Sequence, residues 1–401
     1  MVNGFTRVSS AYVQEISSQA DLFVHDRTGA RILSVKSDDE NKVFGISFRT
    51  PPSDSTGVAH ILEHSVLCGS RKYPVKEPFV DLLKGSLQTF LNAMTYPDKT
   101  CYPVASQNLK DFYNLVDVYL DAVFFPRITP EIFEQEGWHL DLPAEGGELA
   151  IKGVVYNEMK GVYSSPDSQL SEHSQQSLFP DTTYGLDSGG NPRAITSLTY
   201  EQFLDFHRTL YHPSNAWIFF YGDDDPTARL ELLREYLDQF DRLDVSSGVA
   251  LQKPFDAPRE LRLGFEAMGE EEALGMLTMN WLLPGKEDAE TVLACKILDG
   301  LLTGMNASPL RKALIESGLG EDLTGAGVEH EMAQMYFSVG MKGVLPENFQ
   351  AVRELIVKTL EDIVAQGFEA DLIEAGVNSA EFDLRENNTG SYPRGLIVML
   401  R

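Results

Sequence analysis

The chain has 401 residues, and 43% of them are apolar, so it can bury a sizeable core. A single hydrophobic core usually stops growing at roughly 250–300 residues, and we therefore expect two domains. The 60 acidic and 33 basic residues give a net charge of −27, which repels phosphate backbones and excludes nucleic acid as an expected partner. This charge would attract basic peptides, or it could serve only to keep the surface solvated.

The cysteine content and the hydropathy pattern narrow the class of protein further. Three cysteines are too few and too scattered for a disulfide framework or a thiolate metal site, and they favour a reducing compartment. No run approaches the roughly 20 apolar residues that span a bilayer, so no membrane association is expected. Residues 1–22 contain no apolar run and carry Glu15 and Asp21, a pattern unlike that of a secretory signal or a transit peptide.

The first half of the chain predicts a mixture of strands and helices. Runs of β-forming residues separated by turn residues predict strands at 22–24, 31–35 and 43–48. A helix follows at 55–67, with its N-cap at Ser53, Asp54 or Ser55. Further predicted elements are, in chain order, a helix at 77–83, β-prone runs at 87–95 and 100–104, helices at 109–124, 152–163 and 200–210, a strand at 216–221 and a helix at 227–240.

The second half repeats this order after an irregular stretch at 244–258 that is rich in Ser, Gly and Pro. The predicted elements are strands at 260–266 and 275–283, helices at 288–302 and 309–316, β-prone segments up to 339, and helices at 347–365 and 370–384. The similar order predicts an α+β protein of two related domains, each with a mostly antiparallel mixed sheet packed with helices.

One helix of the first half carries a pattern typical of metal chemistry. Residues 60–64 read His-Ile-Leu-Glu-His, which places His60 and His64 on one helix face at a separation that can clamp one zinc ion. Glu63 lies at the edge of that face, where a carboxylate can take a proton from zinc-bound water. This H-x-x-E-H motif reverses the commoner H-E-x-x-H, and by itself it is equally compatible with two histidines that bind no metal.

A catalytic zinc also needs a third protein ligand, which a downstream helix should supply. Glu158 is the best candidate because it lies in an otherwise apolar helical stretch, where a buried carboxylate without a partner is costly. An ion pair with a nearby Lys or Arg is an equally good interpretation on spacing alone. In the second half, the corresponding segment 291–296 contains neither His nor Glu, so only the first copy can carry the chemistry.

Several further blocks accompany the motif, at 68–74, 87–97, 101–104, 153–161, 211–215 and 221–226. Together they resemble the presequence protease branch of the pitrilysin and insulysin family of metallopeptidases, over nearly the whole chain. The resemblance implies a zinc metalloendopeptidase with one Zn²⁺ per chain, which degrades cleaved targeting presequences and other short unstructured peptides. It also implies that His60, His64 and Glu158 bind the zinc and that Glu63 is the general base.

The resemblance further implies a substrate-binding strand and a larger whole. Leu91, Asn92 and Ala93 correspond to the edge strand on which the family lays its substrate by β-augmentation; Asn92 could instead be a polar residue near a turn with no ligand. We assign 1–245 to a catalytic zinc-binding domain, 246–258 to a linker, and 259–401 to a second, non-catalytic and truncated domain. The missing C-terminal half of the longer family chains is then an expected partner, and this chain alone is expected to have little activity.

Two other functions are compatible with the same fold. One is a non-catalytic structural or peptide-holding subunit, although an intact set of His60, Glu63, His64 and Glu158 argues against it. The other is a peptidase that makes a single cut in larger precursors. We expect a cytoplasmic protein if the source is bacterial, and otherwise a protein of the mitochondrial or plastid matrix.

Overall fold

The structure is a computed structural model that describes residues 3–76, 78–142, 147–266, 274–286, 288–386 and 388–400. The strands are β1 (Phe5–Val13), β2 (Ser18–His25), β3 (Arg31–Lys36), β4 (Lys42–Arg49), β5 (Gln88–Leu91), β6 (Met94–Thr95), β7 (Lys99–Ser106), β8 (His139–Asp141), β9 (Ala150–Lys152), β10 (Ala216–Gly222), β11 (Gly275–Gly285), β12 (Asp322–Glu329) and β13 (Gln334–Val344). The helices are α1 (Val58–Val66), α2 (Pro78–Gly85), α3 (Leu109–Phe124), α4 (Pro130–Glu136), α5 (Val154–Val162), α6 (Pro166–Leu178), α7 (Pro192–Ile195), α8 (Tyr200–Leu210), α9 (Pro226–Leu237), α10 (Ala289–Asp299), α11 (Pro309–Glu316), α12 (Phe349–Gln366), α13 (Ala370–Glu386) and α14 (Arg394–Leu400). This mixture confirms the predicted α+β class.

The chain forms two compact units whose limits differ from the predicted domain boundaries. The first unit contains Met1–Lys160, Leu186–Gly248 and Asn388–Arg401, and the second contains Gly161–Gly185 and Val249–Asn387. Residues 161–185 thus lie in the second unit, because α6 packs on β11. Residues 388–400 lie in the first unit, because α14 packs on β4 and β10.

An eight-stranded sheet forms the centre of the first unit. Its order is β1-β2-β3-β10-β4-β7-β5, and β6 also pairs with β7. The neighbours are antiparallel except β3 and β10, which run parallel. The central strands β4, β7 and β10 are almost continuously buried, as expected for strands covered on both faces. Helix α3 covers one face through a row of buried apolar side chains.

The terminal helix α14 covers part of the opposite face of this sheet. Its Leu396 is 1% exposed and joins a core cluster with Val43, Phe219 and Tyr221. Helix α14 lies close to strand β4 at Gly45, where a Cβ atom would overlap the side chain of Met399. Helix α14 is therefore an integral part of the first unit.

Truncating Leu396 to Ala is expected to lower the free energy of unfolding by about 2–5 kcal/mol, since it leaves a cavity between the sheet and α14. Chemical denaturation monitored by tryptophan fluorescence measures the change. Leu384→Ala is the matched control, because this leucine of α13 is 53% exposed and should change stability little. Equal effects of the two substitutions would contradict a packed position for α14.

The second unit is built on a three-stranded antiparallel sheet with the order β11-β13-β12. Its core includes Leu310, Leu314, Met341, Val352 and Ile356, which join the sheet to α11 and α12. None of the helices in the described part of the chain is long and apolar enough to cross a bilayer.

The sequence analysis predicts one strand that the structure lacks and misses another that is present. The predicted strand at 260–266 is wrong, because these residues have no regular structure and Leu261 and Leu263 are exposed. Their alternation with polar residues imitates a half-buried strand, but they pair with no strand in the described part of the chain. Conversely, the sequence did not predict β1, because this edge strand exposes nearly every side chain and carries no alternating pattern.

Candidate metal centre

Helix α1 presents the H-x-x-E-H motif on its less buried face. Its other side chains, including Ile61 and Leu62, are buried in the core of the first unit and fix the rotation of the helix. The helix begins at Val58 after Gly57, whose φ of 71° favours glycine. The predicted N-cap among residues 53–55 is therefore wrong, although the helix itself is confirmed.

The structure brings the three predicted ligands together. Nε2 of His60 lies 3.7 Å from Oε2 of Glu158, and Nε2 of His64 lies 3.8 Å from the same oxygen. One ligand atom from each residue can be chosen so that all three lie within 4.8 Å of one another, the arrangement of a candidate metal site. Zinc bonds of about 2.0–2.2 Å at tetrahedral angles separate two ligand atoms by roughly 3.3–3.5 Å, so small side-chain adjustments would close the site.

The second ring nitrogen of each histidine has its own hydrogen-bond acceptor. Nδ1 of His60 lies 3.0 Å from the carbonyl oxygen of Gly189, and Nδ1 of His64 lies 3.3 Å from Oε2 of Glu136. Each Nδ1–H can donate to these oxygens, which leaves the Nε2 lone pair free for a metal. This pairing of a ligand histidine with an oxygen acceptor is typical of zinc sites. The donor set of the site therefore fits zinc.

Glu136 is a buried carboxylate at the end of α4 that acts on His64. Its Oε2 faces His64, and its Oε1 accepts a hydrogen bond of 2.8 Å from Gln135. Burial alone would lower the pKa of His64, but the hydrogen bond to Glu136 and the nearby carboxylates Glu63 and Glu158 outweigh it and raise the pKa. Burial would raise the pKa of Glu136, but His64 and Gln135 hold it below its ordinary value.

Replacing Glu136 by Gln should lower the pKa of His64 in the metal-free protein, because the charge of Glu136 then no longer opposes the effect of burial. An NMR titration of the His64 ring measures this shift. Zinc affinity at pH 8 should also fall, by about 10- to 100-fold, as is typical when the partner of a ligand histidine is lost. Glu134→Gln is the control, since it neutralises an exposed carboxylate of the same helix and leaves Glu136 beside His64. An unchanged His64 pKa in the Glu136 variant would contradict this account.

Glu158 lies in a different environment from the one the sequence suggested. Its side chain is 49% exposed, so the expectation of a buried carboxylate is wrong. Helix α5 buries only Val155 and Met159, which place Glu158 on the accessible side of the helix. The case for Glu158 as a ligand therefore rests on its position beside the two histidines. The alternative ion pair of Glu158 with Lys or Arg does not occur among the described residues. Glu158 instead lies beside His60 and His64.

Glu63 lies on the same helix face as the two histidines and is 9% exposed. The buried tyrosines Tyr102 and Tyr119 lie close enough for its charge to act on them. Burial is the largest cause that raises the pKa of both phenols, and the negative charge of Glu63 raises it further. Both phenols therefore remain protonated. A carboxylate in a protected position beside the metal ligands can serve as a base.

The predicted substrate-binding residues lie at an interrupted edge of the eight-stranded sheet. Leu91 ends β5, Met94 begins β6, and Asn92 and Ala93 lie between the two strands. The Asn92 N–H donates to the carbonyl of Pro103 in β7 at 3.3 Å, so pairing with β7 continues across the break. Helix α1 packs against β6 and β7, which places this edge next to the helix of the candidate metal site.

The sequence analysis missed the residues that orient the histidines. Neither Glu136 nor Gly189 was singled out for this role, although the Gly189-Gly190 pair is visible in the sequence. A buried acidic residue at the end of a helix has no periodic pattern that identifies it, and a backbone carbonyl leaves no trace in the sequence. The glycine pair was the one available signal.

Comparisons with known proteins identify the family of this chain. Residues 48–141 match the sequence model of Insulinase (Peptidase family M16), and residues 197–380 match that of the Peptidase M16 inactive domain. The two matches together cover more than half of the chain, and the first of them contains the H-x-x-E-H motif. The chain belongs to the M16 peptidase family.

Curated M16 relatives extend well beyond this chain. It is 57% identical to Presequence protease 1, chloroplastic/mitochondrial, of Arabidopsis thaliana, over 99% of the chain and 38% of the relative. It is 48% identical to Protein HypA of Clostridium perfringens, over 100% of the chain and 41% of the relative. The mitochondrial presequence protease of Mus musculus is 43% identical, over 96% of the chain and 38% of the relative. The chain thus spans about two fifths of the length of these relatives.

Solved structures show the same fold. The crystal structure of pitrilysin matches with a TM-score of 0.71 at 16% identity, over 100% of this chain and 42% of that one. A protease from Helicobacter pylori matches with a TM-score of 0.66 at 16% identity, over 92% and 90% of the two chains. These matches confirm the pitrilysin-like fold that the motif blocks predicted.

Proposed function

We propose that this chain is the zinc-binding part of an M16 metalloendopeptidase that hydrolyses short unstructured peptides. The observation that carries the proposal is the convergence of His60, His64 and Glu158, with each imidazole Nδ1 next to an oxygen acceptor. In this proposal the three side chains hold one Zn²⁺. When bound, zinc supplies a Lewis acid that makes water nucleophilic near neutral pH and polarises a peptide carbonyl.

Glu63 moves the proton in this mechanism. Its carboxylate takes a proton from the attacking water and returns it to the nitrogen of the leaving amine. The hydrogen bonds that His60 donates to the Gly189 carbonyl and His64 donates to the Glu136 carboxylate hold both rings in place, so that the metal ligands need not reorganise during the reaction.

The sheet edge and the net charge support a proposal for the substrate class. We propose that an extended peptide adds to the edge at Leu91, Asn92 and Ala93, since backbone pairing is tolerant of sequence. The net charge of −27 favours basic peptides, the kind that targeting presequences supply. The relatives named presequence proteases suggest an organelle matrix, and the bacterial relative suggests cytoplasm for a bacterial source.

The remaining three fifths of the longer relatives is the proposed partner of this chain. It would enclose the substrate and supply groups that stabilise the transition state, which contribute much of an enzyme's rate. Zinc binding by the isolated chain is therefore a more direct test than its turnover.

The decisive experiment is elemental analysis of the purified chain, together with cleavage of a quenched basic peptide. About one zinc per chain is expected in the wild type, and its loss is expected in His64→Ala and Glu158→Ala. The matched controls are His139→Ala and Glu235→Ala, which alter residues outside the metal cluster and should retain zinc. A wild type without zinc, or a Glu158 variant that retains it fully, would favour the non-catalytic subunit.

A further inference from the structure

The orientation of His60 depends on a loop distant in sequence. Its Nδ1 lies 3.0 Å from the Gly189 carbonyl oxygen, which belongs to the segment Asp187–Asn191, here termed the 187–191 loop. A backbone carbonyl cannot orient a ring unless the loop that carries it is itself fixed. The groups that fix this loop therefore contribute to the geometry of the metal site.

The buried carboxylate of Asp187 fixes the backbone of the 187–191 loop. Asp187 is 6% exposed, and its Oδ1 accepts hydrogen bonds from the backbone N–H groups of Gly189 at 2.9 Å and Gly190 at 3.1 Å. A carboxylate that accepts two backbone N–H groups is bound more strongly than a neutral acceptor. Both N–H groups flank the Gly189 carbonyl, so this contact determines the direction in which that carbonyl points.

The loop is also tied to the segment that leads into α1. The Asp187 N–H donates to Oγ of Ser55 at 3.1 Å, and the Asn191 N–H donates to the Ser55 carbonyl at 2.9 Å. A Cβ atom on Gly57 would lie 2.8 Å from the Gly189 carbonyl oxygen, and one on Gly190 would lie 2.9 Å from the Gly57 Cα. The two backbones therefore touch, and both glycines have positive φ angles.

The same loop reaches the second ligand-bearing helix. A Cβ atom on Gly189 would lie 3.1 Å from the Cε atom of Met159, the residue after Glu158 in α5. The 187–191 loop thus contacts both α1, which carries the two histidines, and α5, which carries the carboxylate ligand.

We propose that Asp187 is a positioning residue of the metal site, which acts through the Gly189 carbonyl on the ring of His60. It fixes the carbonyl that accepts the Nδ1–H, and so directs Nε2 of His60 towards the position shared with His64 and Glu158. The proposal rests on the proposed function, because a metal must bind at these three residues for the orientation of His60 to matter.

The test compares Asp187→Ala with Asp187→Asn in the 401-residue chain. Zinc affinity is measured by competition with a chromophoric chelator, and ligand geometry by the visible absorption of the Co²⁺-substituted protein. Asp187→Ala should weaken zinc binding by about 10- to 100-fold and change the Co²⁺ spectrum. Asp187→Asn retains an Oδ1 acceptor and should stay closer to the wild type in both measurements.

Two further variants separate positioning from general destabilisation. Asp225→Ala also removes a carboxylate that accepts a backbone N–H, from Thr227 at 2.8 Å, but it lies at the start of α9. It should leave zinc affinity and the Co²⁺ spectrum unchanged. Ser55→Ala removes one tie of the 187–191 loop without touching Asp187, and it should weaken zinc binding to a smaller extent. This variant tests the proposal even if Asp187→Ala does not fold.

The outcomes are distinguishable. If the wild type binds zinc and His64→Ala does not, the proposed metal site is supported. If Asp187→Ala and Ser55→Ala then both keep the wild-type zinc affinity and Co²⁺ spectrum, the positioning role of Asp187 is overturned while the metal site is not. An equal loss of affinity in Asp225→Ala would also overturn it. A wild type that binds no metal would overturn the proposed function, and with it this inference.

Discussion

Replacing Glu63 by Gln is expected to reduce peptide hydrolysis by about 10²- to 10⁴-fold while the zinc content stays at the wild-type level. The amide has nearly the same shape as the carboxylate, but it cannot accept the proton of the attacking water. Glu63 is 9% exposed and does not belong to the three-residue metal cluster, so its neutralisation should not remove a ligand. Cleavage of a quenched basic peptide at saturating concentration, by the chain together with its proposed C-terminal partner, measures the turnover, and elemental analysis of the 401-residue chain measures its zinc.

Glu136→Gln is the informative comparison for this experiment. It removes a carboxylate that contacts His64, so its main effect should be on zinc affinity, and added zinc should restore turnover. Added zinc should not restore the Glu63 variant. Turnover by Glu63→Gln within a few-fold of the wild type would show that Glu63 is not the base, and loss of its zinc would contradict a role for Glu63 that is separate from metal binding.

Replacing Asp224 by Ala is expected to lower the free energy of unfolding by about 3–5 kcal/mol, because it leaves the guanidinium of Arg229 buried without its counter-charge. Both side chains are fully buried, and Arg229 also donates to Ser34 Oγ at 2.9 Å and to the Val35 carbonyl at 3.0 Å. The pair thereby joins the start of α9 to strand β3. Denaturant unfolding at pH 7 measures the loss.

The matched control is Asp205→Ala, which breaks an exposed ion pair with Arg208 and should change stability little. Equal losses from Asp205→Ala and Asp224→Ala would contradict a special role for the buried pair.

The pH dependence of stability gives a second check on the buried pair. Burial would raise the pKa of Asp224, but Arg229 holds it below its ordinary value of 3.8. The stability that Asp224 contributes is therefore fully present above pH 3.8 and is lost as pH falls through the lowered pKa. The difference between the wild type and Asp224→Ala should shrink in the same range.

The helix that carries the H-x-x-E-H motif could be predicted because its signal is local. Two histidines and a glutamate within five residues define a face as soon as the segment is helical, and the spacing alone places His60 above His64. The proposed third ligand could not be predicted from local spacing, because no local rule joins α5 to α1. Glu158 was identified through the resemblance of the surrounding block, whereas the physical argument from burial was wrong, since the side chain is 49% exposed.

The domain boundaries were also predictable only in part from the sequence. The irregular stretch at 244–258 is visible in the sequence, and the described residues there have no regular structure. The placement of 161–185 in the second unit and of 388–400 in the first depends on which surface each helix buries. Helix α14 has an apolar sequence that would fit any core, and only the three-dimensional packing selects β4 and β10.

The sequence by itself determined the α+β class, the helix that carries His60, Glu63 and His64, and the family. It could do so because these features depend on residues close together in the chain. The tertiary structure alone decided how the site is held, through the Glu136 carboxylate, the Gly189 carbonyl and the Asp187 contacts behind it. The contacts of Glu136 and Gly189 with the histidines join segments separated by many residues, and the Asp187 contacts are made to backbone groups. Neither kind of contact leaves a pattern along the chain.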